Sequence, residues 1–187
     1  MDLKKNGFKK IAWGITGASH LLKESVEVIQ SLITSKYNID VYFSKAAKEV
    51  VTMFGQMTSL NKLRNNYKNS IHFVFGSRQG WSYPICGKFS QKYYDTVIIS
   101  PTTANTVAKI SYRISDSLIT NIVSQSLKGL VPVIIIPTDF KAGLCKTVAP
   151  GNREIEIIIH ESDVERTDAL RKIKGITVLE SPDQIKF

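Results

Sequence analysis

Apolar residues along this chain gather in short continuous runs, separated by stretches in which they recur every three or four positions. Phe8 to Trp13 reads as a first strand ending at Gly14. From His20 to Ser35, Leu22, Val26, Ile29 and Ile33 keep helical spacing. Ile39 to Phe43 predicts a second strand, after which Ser44 is placed to cap a helix reaching about Phe54. Ile71 to Phe75 predicts a third strand, followed by a loop through Gly76, Gly80 and Gly87. Asp95 to Ser100 is a fourth, closed by Pro101; helical pattern resumes from Ala104 to about Leu127, with a break near Asp116. Val131 to Ile136 is a fifth strand bracketed by Pro132 and Pro137. Beyond a loop holding Gly143, Pro150 and Gly151, Glu154–Ile159, Asp163–Lys172 and Ile176–Leu179 read as strand, helix and strand.

Apolar runs without alternation, separated by helices, indicate parallel strands covered on both faces. The expected fold is therefore a doubly wound, Rossmann-like α/β domain in three layers, α/β/α. Its core spans 8–139, and an extra strand–helix–strand unit spans 151–180. In such sheets ligands sit beyond the carboxyl ends of the strands, where strand order reverses. The loops after strands one, two, four and five are where chemistry is sought.

Composition narrows the function classes. The chain has 187 residues, 43% hydrophobic and 22% charged, enough to bury a sizeable core and far from a disordered composition. Val131 to Ile136 is too short to span a bilayer, and Met1 to Lys10 is basic without the apolar stretch of a signal peptide. Two cysteines cannot form a disulfide framework or a four-cysteine cluster in one chain. A cytoplasmic protein is expected, with no membrane partner. The net charge of +9 gathers at Lys4, Lys5, Lys9 and Lys10, and again at Lys62, Arg64 and Lys68. Neither cluster has the interleaved aromatics of a single-strand platform, so solvated surface is the preferred reading and no nucleic-acid partner is expected.

Gly14-Ile15-Thr16-Gly17-Ala18-Ser19 opens directly into a helix. Small residues let the backbone approach a ligand, and free N–H groups at a helix start attract an anion. The loop lacks the G-K-[ST] of a P-loop and the G-x-G-x-x-G of dinucleotide sites, so a tight strand–helix turn is the alternative. Ser44 is read as a cap, a phosphate donor, or both. After strand four, Thr102, Thr103, Asn105 and Thr106 concentrate neutral donors and acceptors suited to the edge of a heterocycle. Helix capping by Thr102 or Thr103 accounts for one of those hydroxyls.

Gly14 to Ser19, Ser44, Pro101 to Thr106 and Asp116 to Thr120 together resemble the flavoprotein superfamily, which includes flavin-containing cysteine decarboxylases and flavin prenyltransferases. The stretches Ala12–Leu22, Ser44–Ala47, Asn105–Ile110 and Gly129–Val133 are more closely similar to the archaeal-type flavoprotein group related to dihydromethanopterin reductase. The resemblance implies non-covalent FMN, held at contacts within a trimer or a multiple of trimers. By position it assigns Gly17, Ala18 and Ser19, with Ser44, to the phosphate, and Thr103, Ala104, Asn105 and Thr106 to the ribityl chain and ring. Gly14, Thr16, Thr102 and Asn121 complete the expected cofactor set. Asn121 stands where prenyltransferases use a basic side chain. Gly87 replaces the decarboxylases' catalytic His, and Pro137-Thr138-Asp139-Phe140 replaces their Pro-x-Met-Asn signature.

The implied function is an FMN oxidoreductase that passes electrons from an external donor, a nicotinamide or a ferredoxin, to a small organic acceptor, a dihydropterin in the related reductases. The alternatives are an electron carrier with no substrate of its own and a prenyltransferase. His20, at the start of the first helix, is the candidate catalytic residue, able to relay a proton or simply to pack on a neighbour. Trp81, Tyr83 and Pro84 are placed to stack on a ring or to pack a subunit interface. Asp139 is read as a partner for a pterin edge or as a turn cap. Trp13 reads as core, Cys86 and Cys145 as ordinary thiols. His72 and His160 read as structural, and no metal site is expected.

Overall fold

A computed structural model describes residues 9–78, 83–151 and 153–187. The β-branched runs of the sequence form six parallel strands, β1 (Lys10–Ile15), β2 (Asn38–Phe43), β3 (Ile71–Phe75), β4 (Thr96–Thr102), β5 (Val133–Pro137) and β8 (Ile176–Val178). They pair in the order β3-β2-β1-β4-β5-β8. Strand order reverses between β1 and β4, the crevice in which doubly wound sheets hold ligands.

Alternate strand residues enter two separate cores, which is why the runs read as uniformly apolar. Ile11, Trp13, Ile15, Val41, Phe43 and Ile98 face α1 (Leu22–Thr34), α2 (Lys45–Met53) and α3 (Gln56–Asn66). Ala12, Tyr42, Val97, Ile99, Val133 and Ile135 face the other layer. That layer contains α4 (Gly87–Ser90), α5 (Ala104–Ser111), α6 (Leu118–Lys128) and α7 (Glu161–Arg171). Trp13 is fully buried and donates from Nε1 to the Ser100 carbonyl at 2.8 Å. No helix among the described residues is long and apolar enough to cross a membrane.

Three elements depart from expectation. The helix after Ser44 ends at Met53, close to the expected Phe54, but Gly55 takes φ +71° and turns the chain into a further helix, α3, that the spacing does not predict. The basic cluster Lys62 and Arg64 lies on that helix. The strand, helix and strand expected over 151–180 all form, but the two strands join different sheets. The first strand, β7 (Arg153–Ile159), pairs antiparallel with β6 (Gly143–Ala149) in a two-stranded ribbon, whereas β8 extends the main sheet beside β5. The segment holding Gly143, expected as loop, is therefore β6. Phe8, Lys4, Lys5, Gly80 and Trp81 lie outside the described residues.

Asp40 is buried on β2 and accepts a 2.6 Å hydrogen bond from the Tyr94 hydroxyl, which also pairs with the Tyr42 hydroxyl at 2.5 Å. Burial pushes the Tyr94 and Tyr42 hydroxyls well above the usual phenol range, with the Asp40 charge acting in the same direction. Burial also pushes the neighbouring Cys86 thiol from 9.0 up to about 12. Each group holds its proton more tightly in the fold than in the unfolded chain. For Cys86 that stabilisation is complete below about pH 9 and lost as pH rises through about 12, and the two tyrosines add to the loss at the alkaline end. We predict a melting temperature that falls over this alkaline range. Tyr94→Phe should make that fall shallower while lowering stability at neutral pH by about 1–3 kcal/mol, because Asp40 loses its donor. Thermal melts across pH check both effects; a Tyr94→Phe variant as stable as the parent at neutral pH would refute the buried network.

Candidate functional site

At the carboxyl ends of β1, β2 and β4 the loops enclose a cavity of about 420 Å³, within the range of small-molecule sites. Thr16 and Gly17 line it after β1, Ser44, Lys45 and Ala46 after β2, and Gly76 and Tyr83 after β3. Thr103, Asn105, Thr106 and Lys109 line it after β4, followed by Asp116, Ser117 and Leu118 at the start of α6. Three helices, α2, α5 and α6, thus begin at this one cavity. A helix start presents unpaired N–H groups and the positive end of its dipole, so their convergence favours an anion.

Each helix start is capped by its own sequence. Ser44 Oγ accepts from Ala47 N at 3.1 Å, and Thr103 Oγ1 accepts from Thr106 N at 3.4 Å. Ser117 and Thr120 form a capping box. Among the described residues the Ser44 hydroxyl donates to no acceptor, so Ser44 can serve as both cap and ligand donor. The N–H groups of Gly17 and Ala18 make no hydrogen bond among the described residues. A Cβ on Gly17 would stand 2.7 Å from the Ala46 Cβ, so the loops after β1 and β2 approach closely only because residue 17 is glycine.

Several expected site residues serve the scaffold instead. Gly14 lies inside β1, where a Cβ would meet Ile99 at 2.7 Å and Ile119 at 3.0 Å; its smallness admits the opposing core. Thr16 lines the cavity, but its hydroxyl is committed. It donates to the Pro101 carbonyl at 2.8 Å and accepts from Thr103 N at 2.9 Å, so it joins the loops rather than offering a donor. Thr102 is fully buried and donates to the Ile99 carbonyl at 2.7 Å. Asn121 spends its side-chain amide on the Ser115 and Ser117 carbonyls, both at 2.9 Å. Ser19 and Ala104 are not among the lining residues, and the Ser19 hydroxyl reaches the Val148 carbonyl at 3.4 Å; Ala18 is not among them either, but its unbonded N–H follows directly on Gly17, which is. His20 is exposed in the turn before α1, outside the lining.

Of the expected set, the structure brings together Thr16, Gly17, Ser44, Thr103, Asn105 and Thr106. Lys45, Ala46, Lys109, Asp116, Ser117 and Leu118 join them without having been assigned a ligand role from sequence. Lys109 Nζ pairs with Asp116 Oδ2 at 2.6 Å. The recurrence of polar residues at helix starts was the available signal for Ser117; nothing in spacing alone marks Lys109, which sits in the last turn of an amphipathic helix. Tyr83, expected as a loop aromatic, does line the cavity. Asp139 does not; its carbonyl accepts from Thr167. His72 is exposed on the edge strand β3, and His160 is exposed just before α7. Replacing Thr16 with the near-isosteric Val leaves the Pro101 carbonyl and the Thr103 N–H without this partner. We predict a loss of about 1–3 kcal/mol in denaturant unfolding; no change would show that the stitch contributes nothing.

With this geometry in view, comparison with known proteins is informative. Residues 2–184 match the model of the Flavoprotein family. The chain is 42% identical over 183 residues to an uncharacterized protein of Methanocaldococcus jannaschii, a match covering 95% of this chain and 92% of that protein. It is 32% identical to a dihydromethanopterin reductase (acceptor) of Methanosarcina mazei, over 95% of this chain and 98% of the reductase. The fold superposes with a TM-score of 0.77 on Burkholderia xenovorans DmrB in complex with FMN, described as a cubic protein cage for redox transfer. Identity there is 27%, covering 96% of this chain and 92% of that one. A matching fold, strand-end cavity and near full-length similarity agree: the chain belongs to the Flavoprotein family.

Proposed function

We propose that this chain binds FMN in the strand-end cavity and acts as an oxidoreductase of the cytoplasm. The observation that carries the reading is the convergence of three helix starts, free loop amides and neutral hydroxyls on one cavity of about 420 Å³. That donor set fits a phosphate at one end and an uncharged heterocycle at the other. Bound there, FMN would supply the redox chemistry, taking electrons from a nicotinamide or ferredoxin donor and delivering them to an organic acceptor, a dihydropterin by similarity to the reductase relative.

The protein's part is to bind and orient. The N–H groups of Gly17 and Ala18, the Ser44 hydroxyl and the start of α2 would hold the phosphate. Thr103, Asn105 and Thr106 would meet the ribityl chain and the polar edge of the ring. Tyr83 and Leu118 supply apolar surface beside that edge. Because Gly17 and Ala46 are in close approach, the phosphate cradle is fixed before a ligand arrives, which reduces the ordering cost of binding. Two free cysteines, Cys86 and Cys145, accord with a reducing compartment.

Assembly into a trimer or a multiple of trimers is part of the reading. It is supported by the resemblance and by the cage described for DmrB. The β6–β7 ribbon accords with it, since Leu144 and Ile158 are 68% and 65% exposed across one register pair.

Purified protein should be yellow, with flavin absorption bands that bleach under dithionite. A colourless protein that takes up no added FMN would overturn the reading. Ser44→Ala should weaken FMN binding about tenfold or more, the value of one hydrogen bond to a charged group, as measured by titration of flavin fluorescence. With a nicotinamide or chemical donor, steady-state reduction of a dihydropterin should follow. Flavin reduction without turnover would identify an electron carrier instead.

A further inference from the structure

The Lys109–Asp116 ion pair lines the cavity and has no part in holding a phosphate or in capping a helix. Its 2.6 Å contact spans the turn between α5 and α6, with the two side chains 31% and 50% exposed. Among the described residues, the ion pairs Lys23–Glu27, Glu165–Arg166 and Asp168–Arg171 lie outside the lining residues. The carboxylate sits on a fixed support. Asn121 donates to the carbonyls on either side of Asp116, those of Ser115 and Ser117. Ser117 is itself locked by its capping box with Thr120. Lys109, a long side chain with many rotamers, is thereby held at one point on the cavity wall.

We propose that this pair sets the reduction potential of the bound flavin, an inference that rests on the FMN reading above. Bound in the cavity, FMN would take up two electrons from the external donor and one proton from solvent, which leaves one added negative charge on the reduced ring. The protein tunes that equilibrium through charge near the ring. With the phosphate held by Gly17, Ser44 and the start of α2, the ring would extend toward the β4 side of the cavity, where Lys109 and Asp116 stand. In that placement the ammonium would stabilise the reduced ring. Asp116 holds that ammonium in place and offsets part of its charge.

The two partners therefore act with opposite sign, which a purely structural pair would not. The experiment is midpoint potentiometry on FMN-loaded full-length protein, reduced stepwise with dithionite against indicator dyes. Lys109→Met should lower the two-electron potential and Asp116→Asn should raise it. Each change should be at least tenfold in the reduction equilibrium, about 30 mV for two electrons. Lys109→Arg should keep the parental potential, and Lys109→Gln replaces the Met variant if that one fails to fold. Potentials that stay within that limit in FMN-loaded variants, or that move in the same direction, overturn the assignment while leaving the FMN reading intact. A parent protein that binds no FMN overturns both.

Discussion

One threonine hydroxyl closes the crevice on which this molecule depends. Thr16 leaves the end of β1 and meets the loop after β4, donating to one backbone group and accepting from another, across 85 residues of sequence. The Thr16 amide adds a second bond to the same Pro101 carbonyl at 3.2 Å. In a doubly wound sheet the two central strands diverge at their carboxyl ends because their crossovers run to opposite sides. A side chain that satisfies both loops at once keeps the gap at one width. The start of α5 and the loop before α1 are then positioned relative to each other by a hydroxyl committed to backbone groups.

Around that closure, the site is made more by backbone than by charged side chains. Helix starts supply the field, and serine and threonine caps keep those starts open toward the cavity instead of leaving them to water. Glycine at position 17 permits two loops to touch. The charge of +9 plays a secondary part, since the basic residues on α3 lie away from the cavity. Lysine enters the site at two places only among the described residues, Lys45 and Lys109. The positive field at the cavity thus comes mainly from oriented peptide groups whose position the fold determines.

The main sheet was legible because both its faces are covered, so each strand shows as an unbroken apolar run. The loops at strand ends were legible for the same reason, and six of the expected residues do meet there. Failures have physical causes. Helix α3 buries only Leu60 and Leu63 and is otherwise polar, which leaves no clear stripe to read. Strand β6 belongs to a ribbon without a core of its own, so neither of its faces is consistently apolar. Thr102 and Asn121 look like ligand donors in sequence, but their donors are spent on nearby carbonyls, a commitment that only coordinates reveal. Asp116 and Lys109 become partners because the helical run breaks between Ser111 and Leu118, and a break's geometry is not written in spacing.

The strand order also has a consequence in time. β1 pairs with β2 through a single local crossover, but its other neighbour, β4, arrives much later in the chain, with Ile11 set against Thr96. As the polypeptide emerges from the ribosome, β1, β2 and β3 can assemble with α1 to α3 and form most of one core, which Ile98 and Ile136 complete later. The opposite face, with Ala12 and Tyr42, stays uncovered until α4 to α6 are made. Such long-range pairing slows folding and leaves apolar surface open in the interval. Ligand capture belongs to the end of that sequence, because half of the cavity is contributed by residues beyond Pro101.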